Sequence, residues 1–224
     1  QSNIKKLLMN SYKNKNLPHL LFHGPPGTGK TSSIITICKL FYGIDYRKYV
    51  LELNASDDRG ITVIRGKIKD FSRLSLKNDD GPPFKIIILD EADFLTADAQ
   101  AALRRCIECY SNITRYCIIC NYINKIISPI QSRCAILYFK PIPISNIQEK
   151  LELIIEKEKM KITENTFKQI LSNSNGDLRK AINSLQLYNV IKDEDTLEKL
   201  DTSEFSNTKL FTDFLANLKK YNLK

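Results

Sequence analysis

Residues 24–31 read GPPGTGKT and match the phosphate-loop pattern G-x-x-x-x-G-K-[ST] at every fixed position. Such a loop needs a buried strand before it and a helix start after it, so it constrains the fold as tightly as the chemistry. The flanks supply both. Leu20–Phe22 is a short apolar run suited to a strand, and Ser32–Phe41 carries Ile34, Ile35, Cys38 and Phe41 on one helical face. Gly24, Gly27 and Gly29 let the backbone curl, around Pro25, Pro26 and Thr28, until its N–H groups point inward. Lys30 then reaches the β- and γ-phosphates of a nucleoside triphosphate, and the Thr31 hydroxyl is placed to ligate Mg²⁺.

Phe84–Leu89 is apolar and rich in β-branched residues, as a central parallel strand buried on both faces should be. It runs into Asp90 and Glu91. An acid at that strand end can hold Mg²⁺ through water, and the next carboxylate can polarise an attacking water. Strands are expected at about 20–23, 49–53, 85–89, 115–120 and 135–139, with helices at about 4–11, 30–42, 61–75 and 96–110. Strands alternating with helices give an α/β fold, a parallel sheet with helices on both faces. After Pro141 and Pro143 the strands stop, and helices are expected at about 145–160, 163–173 and 177–191, with a break at Asn173–Gly176. The expected domains are a nucleotide-binding core over 1–140, a three-helix lid over 141–201, and the start of a further domain over 202–224.

No run of about 18 apolar residues occurs and no basic-then-apolar leader opens the chain, which argues against membrane and secretion classes. The net charge of +9 favours an anionic partner, although a composition rich in Lys, Asn and Ile would give the same sign. Cys106, Cys109, Cys117 and Cys120 have zinc-like C-x2-C spacing. They divide between a helix and a strand, and residues three apart on a strand face opposite sides, so free buried thiols are expected instead.

Four boxes add a resemblance. LELNASDDRGITVIRGKIKDF at 51–71, IILDEADFLTADAQAALRRCIE at 87–108, ICNYINKIISPIQSRC at 119–134 and NGDLRKAIN at 175–183 occur together with the phosphate loop. In that order and spacing they resemble the AAA+ ATPases, and within them the small subunits of replication factor C, the eukaryotic sliding-clamp loader. The resemblance covers about residues 15–190. It implies an AAA+ phosphate-loop sheet with a small helical lid, ATP and Mg²⁺ as cofactors, and ATPase activity in an assembled hetero-pentamer. The implied partners are the other replication factor C subunits, the sliding clamp PCNA and primer-template DNA, with no membrane, in the nucleus. Residues 24–31, Asp90, Asn121 and Arg179 are then the ATP-binding set, with Thr31 and Asp90 the Mg²⁺ ligands. Lys30 and Glu91 are catalytic, Asn121 is a sensor that positions water, and Arg179 is a second sensor in the lid. Arg133 is an arginine finger that serves the neighbouring subunit's nucleotide. Asn121, Arg179 and Arg133 rest on the resemblance alone.

On the helix at 61–75, Ile61, Ile64, Ile68 and Phe71 form an apolar stripe, beside a polar one of Thr62, Arg65, Lys69 and Arg73. The polar stripe suits the phosphate backbone of a duplex, and the family uses this helix so; a plain solvated face has the same pattern. The family's tryptophan-containing amino-terminal box is missing, and its collar is expected only as a first helix at 207–220. Asp90–Asp93 also spells DEAD, but an RNA helicase would need a second RecA-like domain and a Ser-Ala-Thr motif. A nucleotide-binding subunit that does not hydrolyse, and another AAA+ machine such as a branch-migration motor, stay open as alternatives.

Overall fold

Alternate residues of a strand face opposite sides of a sheet, and here both sides are dry. A computed structural model describes residues 1–57, 64–73 and 81–191; at 64–65 and 190–191 only the backbone is described. On β3 (Lys85–Asp90) Ile86 and Ile88 point to one face and Ile87 and Leu89 to the other, none more than 2% exposed. A fully buried isoleucine stabilises by about 1.5–3 kcal/mol, which is why this continuous apolar run takes the middle of the sheet.

The other strands are β1 (Leu20–His23), β2 (Val50–Asn54), β4 (Thr114–Cys120) and β5 (Ala135–Tyr138). All pairs are parallel, in the order β2-β3-β4-β1-β5. The register aligns the carboxyl ends: His23 lies opposite Cys120 and Tyr138, and Asn54 lies opposite Asp90. Helices α1 (Ser2–Lys13) and α2 (Lys30–Tyr42) cover one face, through Ile4, Leu8, Ile34, Ile37 and Phe41. The other face takes Ile68, at the end of a π-helical turn (Ile64–Ile68) that leads into α3 (Lys69–Arg73), and Ala99, Leu103 and Ile107 of α4 (Ala97–Tyr110). Thr96 caps α4, its hydroxyl accepting the Ala99 N–H at 3.2 Å. A short helix α5 (Ser128–Gln131) precedes β5.

The expected helix at 61–75 departs from plain α geometry. The π turn, which contains Gly66, breaks the rotation of 100° per residue, so among the described residues of that segment α spacing holds only from Lys69 to Arg73. The chain divides into two compact units, 1–141 and 142–224. The second packs α6 (Ile144–Lys157), α7 (Glu164–Ser174) and α8 (Leu178–Ile191) around Ile147, Leu151, Ala181 and Leu185. Asn175 ends α7 in the left-handed region at φ 49°, followed by Gly176 at 84°. The helix expected at 207–220 lies outside the described residues. No described helix is long and apolar enough to cross a membrane.

One titratable group is built into the sheet edge. His19 Nδ1 accepts the main-chain N–H of Tyr116 at 3.2 Å, which requires that nitrogen to be unprotonated. Burial, then the Arg115 guanidinium, lowers the pKa from 6.5 to about 4. The folded state therefore binds this proton less readily than the unfolded chain. Its contribution is complete above about pH 6.5 and is lost as pH falls toward 4. Thermal midpoints measured from neutral pH downward should decline through that window, and His19→Asn should flatten the decline. Equal slopes for the two proteins would clear His19 of the effect.

Candidate functional site at the carboxyl edge of the sheet

The loop after β1 owes its path to backbone that only glycine follows comfortably. Gly24, Gly27 and Gly29 have φ of 140°, 66° and 93°. At Gly24 space is as decisive as torsion, because a Cβ would stand 2.2 Å from the carbonyl oxygen of Phe139. Gly29 meets nothing within 4 Å, so its demand is conformational alone. It precedes α2 with no side-chain cap, which leaves the helix's first N–H groups and its positive dipole end directed at the loop.

Three strand ends meet through two side chains. Lys30, 8% exposed, donates from Nζ to the carbonyls of Gly24 at 2.7 Å and Pro25 at 2.8 Å, and to Asn121 Oδ1 at 2.9 Å. Thr31 Oγ1 donates to Asp90 Oδ2 at 2.6 Å. The first contact joins the loop to the end of β4, and the second joins it to the end of β3. Asp90 Oδ1 accepts the Glu91 N–H at 2.8 Å, and Glu91 has φ 53°, a left-handed conformation costing a non-glycine residue about 1–3 kcal/mol. Thr28 Oγ1 closes the loop on the Pro25 carbonyl at 2.9 Å.

The donor set indicates what the site can hold. Lys30 sits on neutral carbonyls, and a phosphate would outbid them for its ammonium. The Thr31 hydroxyl and Asp90 carboxylate are hard oxygen ligands of the kind Mg²⁺ takes. His23 flanks the loop, its ring stacked on Tyr138 at 5.0 Å; burial, then Lys30, lowers its pKa.

Within the first unit, Arg133, Lys69 and Arg73 lie outside this set of contacts. Arg133 pairs with Glu108 Oε1 at 2.5 Å and donates to the Pro129 carbonyl at 2.7 Å, while 36% of its side chain stays exposed. Arg179 is an exposed residue in the first turn of α8, in the second unit. Lys69 and Arg73 are exposed on α3, on the side away from buried Ile68. Thr62 lies outside the described residues, and only the backbone of Arg65 is described. Cys117 and Cys120 face opposite sides of the sheet, with Cys106 half-buried on α4 and Cys109 exposed. Burial pushes the Cys120 thiol up to about 12, with Asp93 adding to the shift.

Sequence reading missed Gln100. It is 3% exposed on α4; its amide donates to the Lys125 carbonyl at 2.9 Å and to Leu95 at 3.3 Å, and its oxygen accepts the Ile127 N–H at 2.8 Å. It thereby anchors the segment just after Asn121. A glutamine in a polar helix carries no sequence signal, since the residue is ordinarily solvated. Glu108, the partner of Arg133, was missed for the same reason.

The family model described as "ATPase family associated with various cellular activities (AAA)" matches residues 20–142, and an "RCF1/5-like, AAA+ ATPase lid domain" model matches 149–188. The chain is 50% identical over 195 residues to "Replication factor C subunit 2" of Saccharomyces cerevisiae, covering 83% of this chain and 55% of that one. It is 52% identical over 186 residues to "Replication factor C small subunit" of Archaeoglobus fulgidus, covering 83% and 58%. The chain thus spans little more than half the length of these curated relatives. Among solved structures, the Thermotoga maritima RuvB Holliday junction branch migration motor superposes with a TM-score of 0.63 at 20% identity, over 90% of this chain and 64% of that one. At that identity the likeness is one of fold.

Gly24→Ala is expected to lower stability by about 2–4 kcal/mol, from clash and torsion together. Gly29→Ala should cost only about 1 kcal/mol. Urea unfolding of the two variants checks the order, and equal losses would remove the Phe139 contact as the reason for Gly24.

Proposed function

Because the chain belongs to the AAA family of ATPases, we propose that it is an ATP-hydrolysing small subunit of the replication factor C type. Its work is to help open the sliding clamp PCNA and load it onto primer-template DNA in the nucleus, within a hetero-pentamer. Membership carries ATP binding. One observation carries the rest of the site reading: Lys30 and Thr31 touch Asn121 and Asp90 across three strand ends. Identity of 50–52% to replication factor C proteins favours clamp loading over branch migration, for which there is likeness of fold alone. Within the small subunits, the sequence boxes resemble most the one called 5 in animals and 3 in budding yeast; subunit 2 of yeast stands at 50% identity, so ring position is a matter for co-purification with each sister subunit. The domain roles proposed are core over 1–140, lid over 141–201 and collar from 202.

Bound ATP with Mg²⁺ supplies the triphosphate and neutralises its charge. The chain's own residues do the positioning. The main-chain N–H groups of 24–31, other than at Pro25 and Pro26, would cradle the phosphates, and Lys30 would leave the Gly24 and Pro25 carbonyls for them. Thr31 and Asp90 would hold the metal. Glu91, lifted off the strand by its left-handed backbone, accepts the proton of the attacking water, which Asn121 orients. Arg179, in the GDLRKA box, is assigned the second-sensor role and Arg133 the finger that completes the neighbour's site. Thr62, Arg65, Lys69 and Arg73 follow the DNA backbone. Intact Lys30 and Glu91 favour a hydrolysing subunit over a purely structural one.

In the assembled complex Glu91→Gln should keep ATP affinity while turnover at this site falls by about 10²–10⁴. Unchanged single-turnover hydrolysis would remove Glu91 as the base. Arg133→Ala should leave this subunit's own ATP affinity intact and slow the neighbouring site by about 10³ or more. A matching loss of its own affinity would contradict action across the interface.

A further inference from the structure

Two aromatic rings and an ammonium stand exposed at the carboxyl edge of the sheet, on segments whose main chain is tied down. Phe94 closes the short helical turn after β3 (Ala92–Phe94), and Tyr122 and Lys125 flank the one after β4 (Ile123–Lys125). The Phe94 side chain is 45% exposed and that of Tyr122 62%. Lys125 Nζ approaches both rings, 5.8 Å from the Phe94 centroid and 5.4 Å from that of Tyr122. Both distances fall within cation–π range. Among the described residues no carboxylate pairs with this ammonium.

The display is not a by-product of a loose loop. Ala92, Asp93 and Leu95 are buried, so Phe94 is turned outward from a segment whose other positions face the core. After β4, Ile123, Ile126 and Ile127 pack on the apolar cluster of that sheet face. The Gln131 amide, at the end of α5, donates to the carbonyls of Ile126 at 2.7 Å and Ile123 at 3.2 Å, and Gln100 holds the same stretch from α4. The main chain of 122–127 is therefore anchored from two helices while Tyr122 and Lys125 project from it. Side chains carried on a fixed backbone lose less freedom when they bind a ligand than those on a mobile loop.

The chemistry on offer is flat π surface next to a positive charge. A nucleotide unit carries the complement of both, a ring that stacks and a phosphate that pairs. In a duplex the base faces are covered by their neighbours, so only an unpaired base presents one. An acidic peptide would meet the ammonium and leave the ring faces unused. We infer that Phe94, Tyr122 and Lys125 form a stacking site for an unpaired nucleobase of single-stranded DNA, with Lys125 taking the adjoining phosphate. The inference rests on the proposal that DNA is the partner, and goes beyond the duplex tracking assigned to α3. That helix meets phosphates alone, whereas this site requires a base.

The test uses the assembled complex and fluorescence anisotropy with two labelled strands of equal length. One is oligothymidylate; the other is abasic and carries the same phosphates without the rings. Tyr122→Leu keeps apolar bulk and removes the π face. It should weaken oligothymidylate binding by about tenfold and leave the abasic strand unaffected, while Tyr122→Phe binds as the wild type does. Lys125→Met should weaken both strands and lower the salt dependence by about one ion contact; the Gln100 bond is to the main-chain carbonyl of Lys125 and survives the change. Wild-type oligothymidylate affinity in Tyr122→Leu overturns the inference, as does an equal loss for the two strands. Failure of Tyr122→Leu to co-purify with the sister subunits also overturns it, by making the surface a protein contact. Should that variant not fold, Phe94→Leu with the same pair of strands takes its place. Lys69→Glu combined with Arg73→Glu, measured on duplex DNA, checks the underlying reading separately. Weakened duplex binding there alongside wild-type behaviour in Tyr122→Leu sinks the stacking site alone, and unchanged duplex affinity defeats the reading of α3.

Discussion

The site depends on one ammonium group held between two strands. Lys30 Nζ bridges the loop that leaves β1 and the amide that ends β4, while the adjacent Thr31 hydroxyl reaches the carboxylate that ends β3. Two consecutive residues at the start of one helix therefore fix the relative positions of three strand ends. They succeed because the sheet is parallel and in register, so that His23, Asp90 and Cys120 all emerge at the same edge. An antiparallel sheet would divide the same residues between two edges.

The rest of the core underwrites that edge. Positive φ at Glu91 is unfavourable locally, and the close approach of Gly24 to the Phe139 carbonyl leaves no room for a side chain. These features persist because the strands that carry them are buried on both faces by two apolar clusters, each with its own helices. Buried polar ties then set position where apolar packing, which has no direction, cannot. Gln100 fixes the segment after β4, and Lys85 fixes the helix before β3.

Arg133 illustrates a different kind of placement. It lies near the protein surface, on Glu108 and a main-chain carbonyl of α5, with a substantial part still in solvent. An exposed ion pair of this type contributes little to stability, and Glu108 with the Pro129 carbonyl orients the guanidinium at the surface. That arrangement is compatible with the action on a neighbouring subunit proposed above.

The sequence alone determined the layered architecture and the place of the glycine loop between β1 and α2. Strands buried on both faces are written as unbroken apolar runs, and the five expected ones fall within a residue or two of β1 to β5. The glycine loop is legible because its pattern is local, eight consecutive residues at 24–31. Only the tertiary structure decided the strand order, the reason Gly24 tolerates no side chain, the π turn before α3, and the roles of Gln100, Glu108 and Lys85. Each of these depends on contacts between residues far apart in the chain or on backbone winding that α periodicity does not encode. A lone glutamine, glutamate or lysine in a sequence is ordinarily a solvated one; burial and a specific partner make it otherwise, and both exist only once the chain is folded.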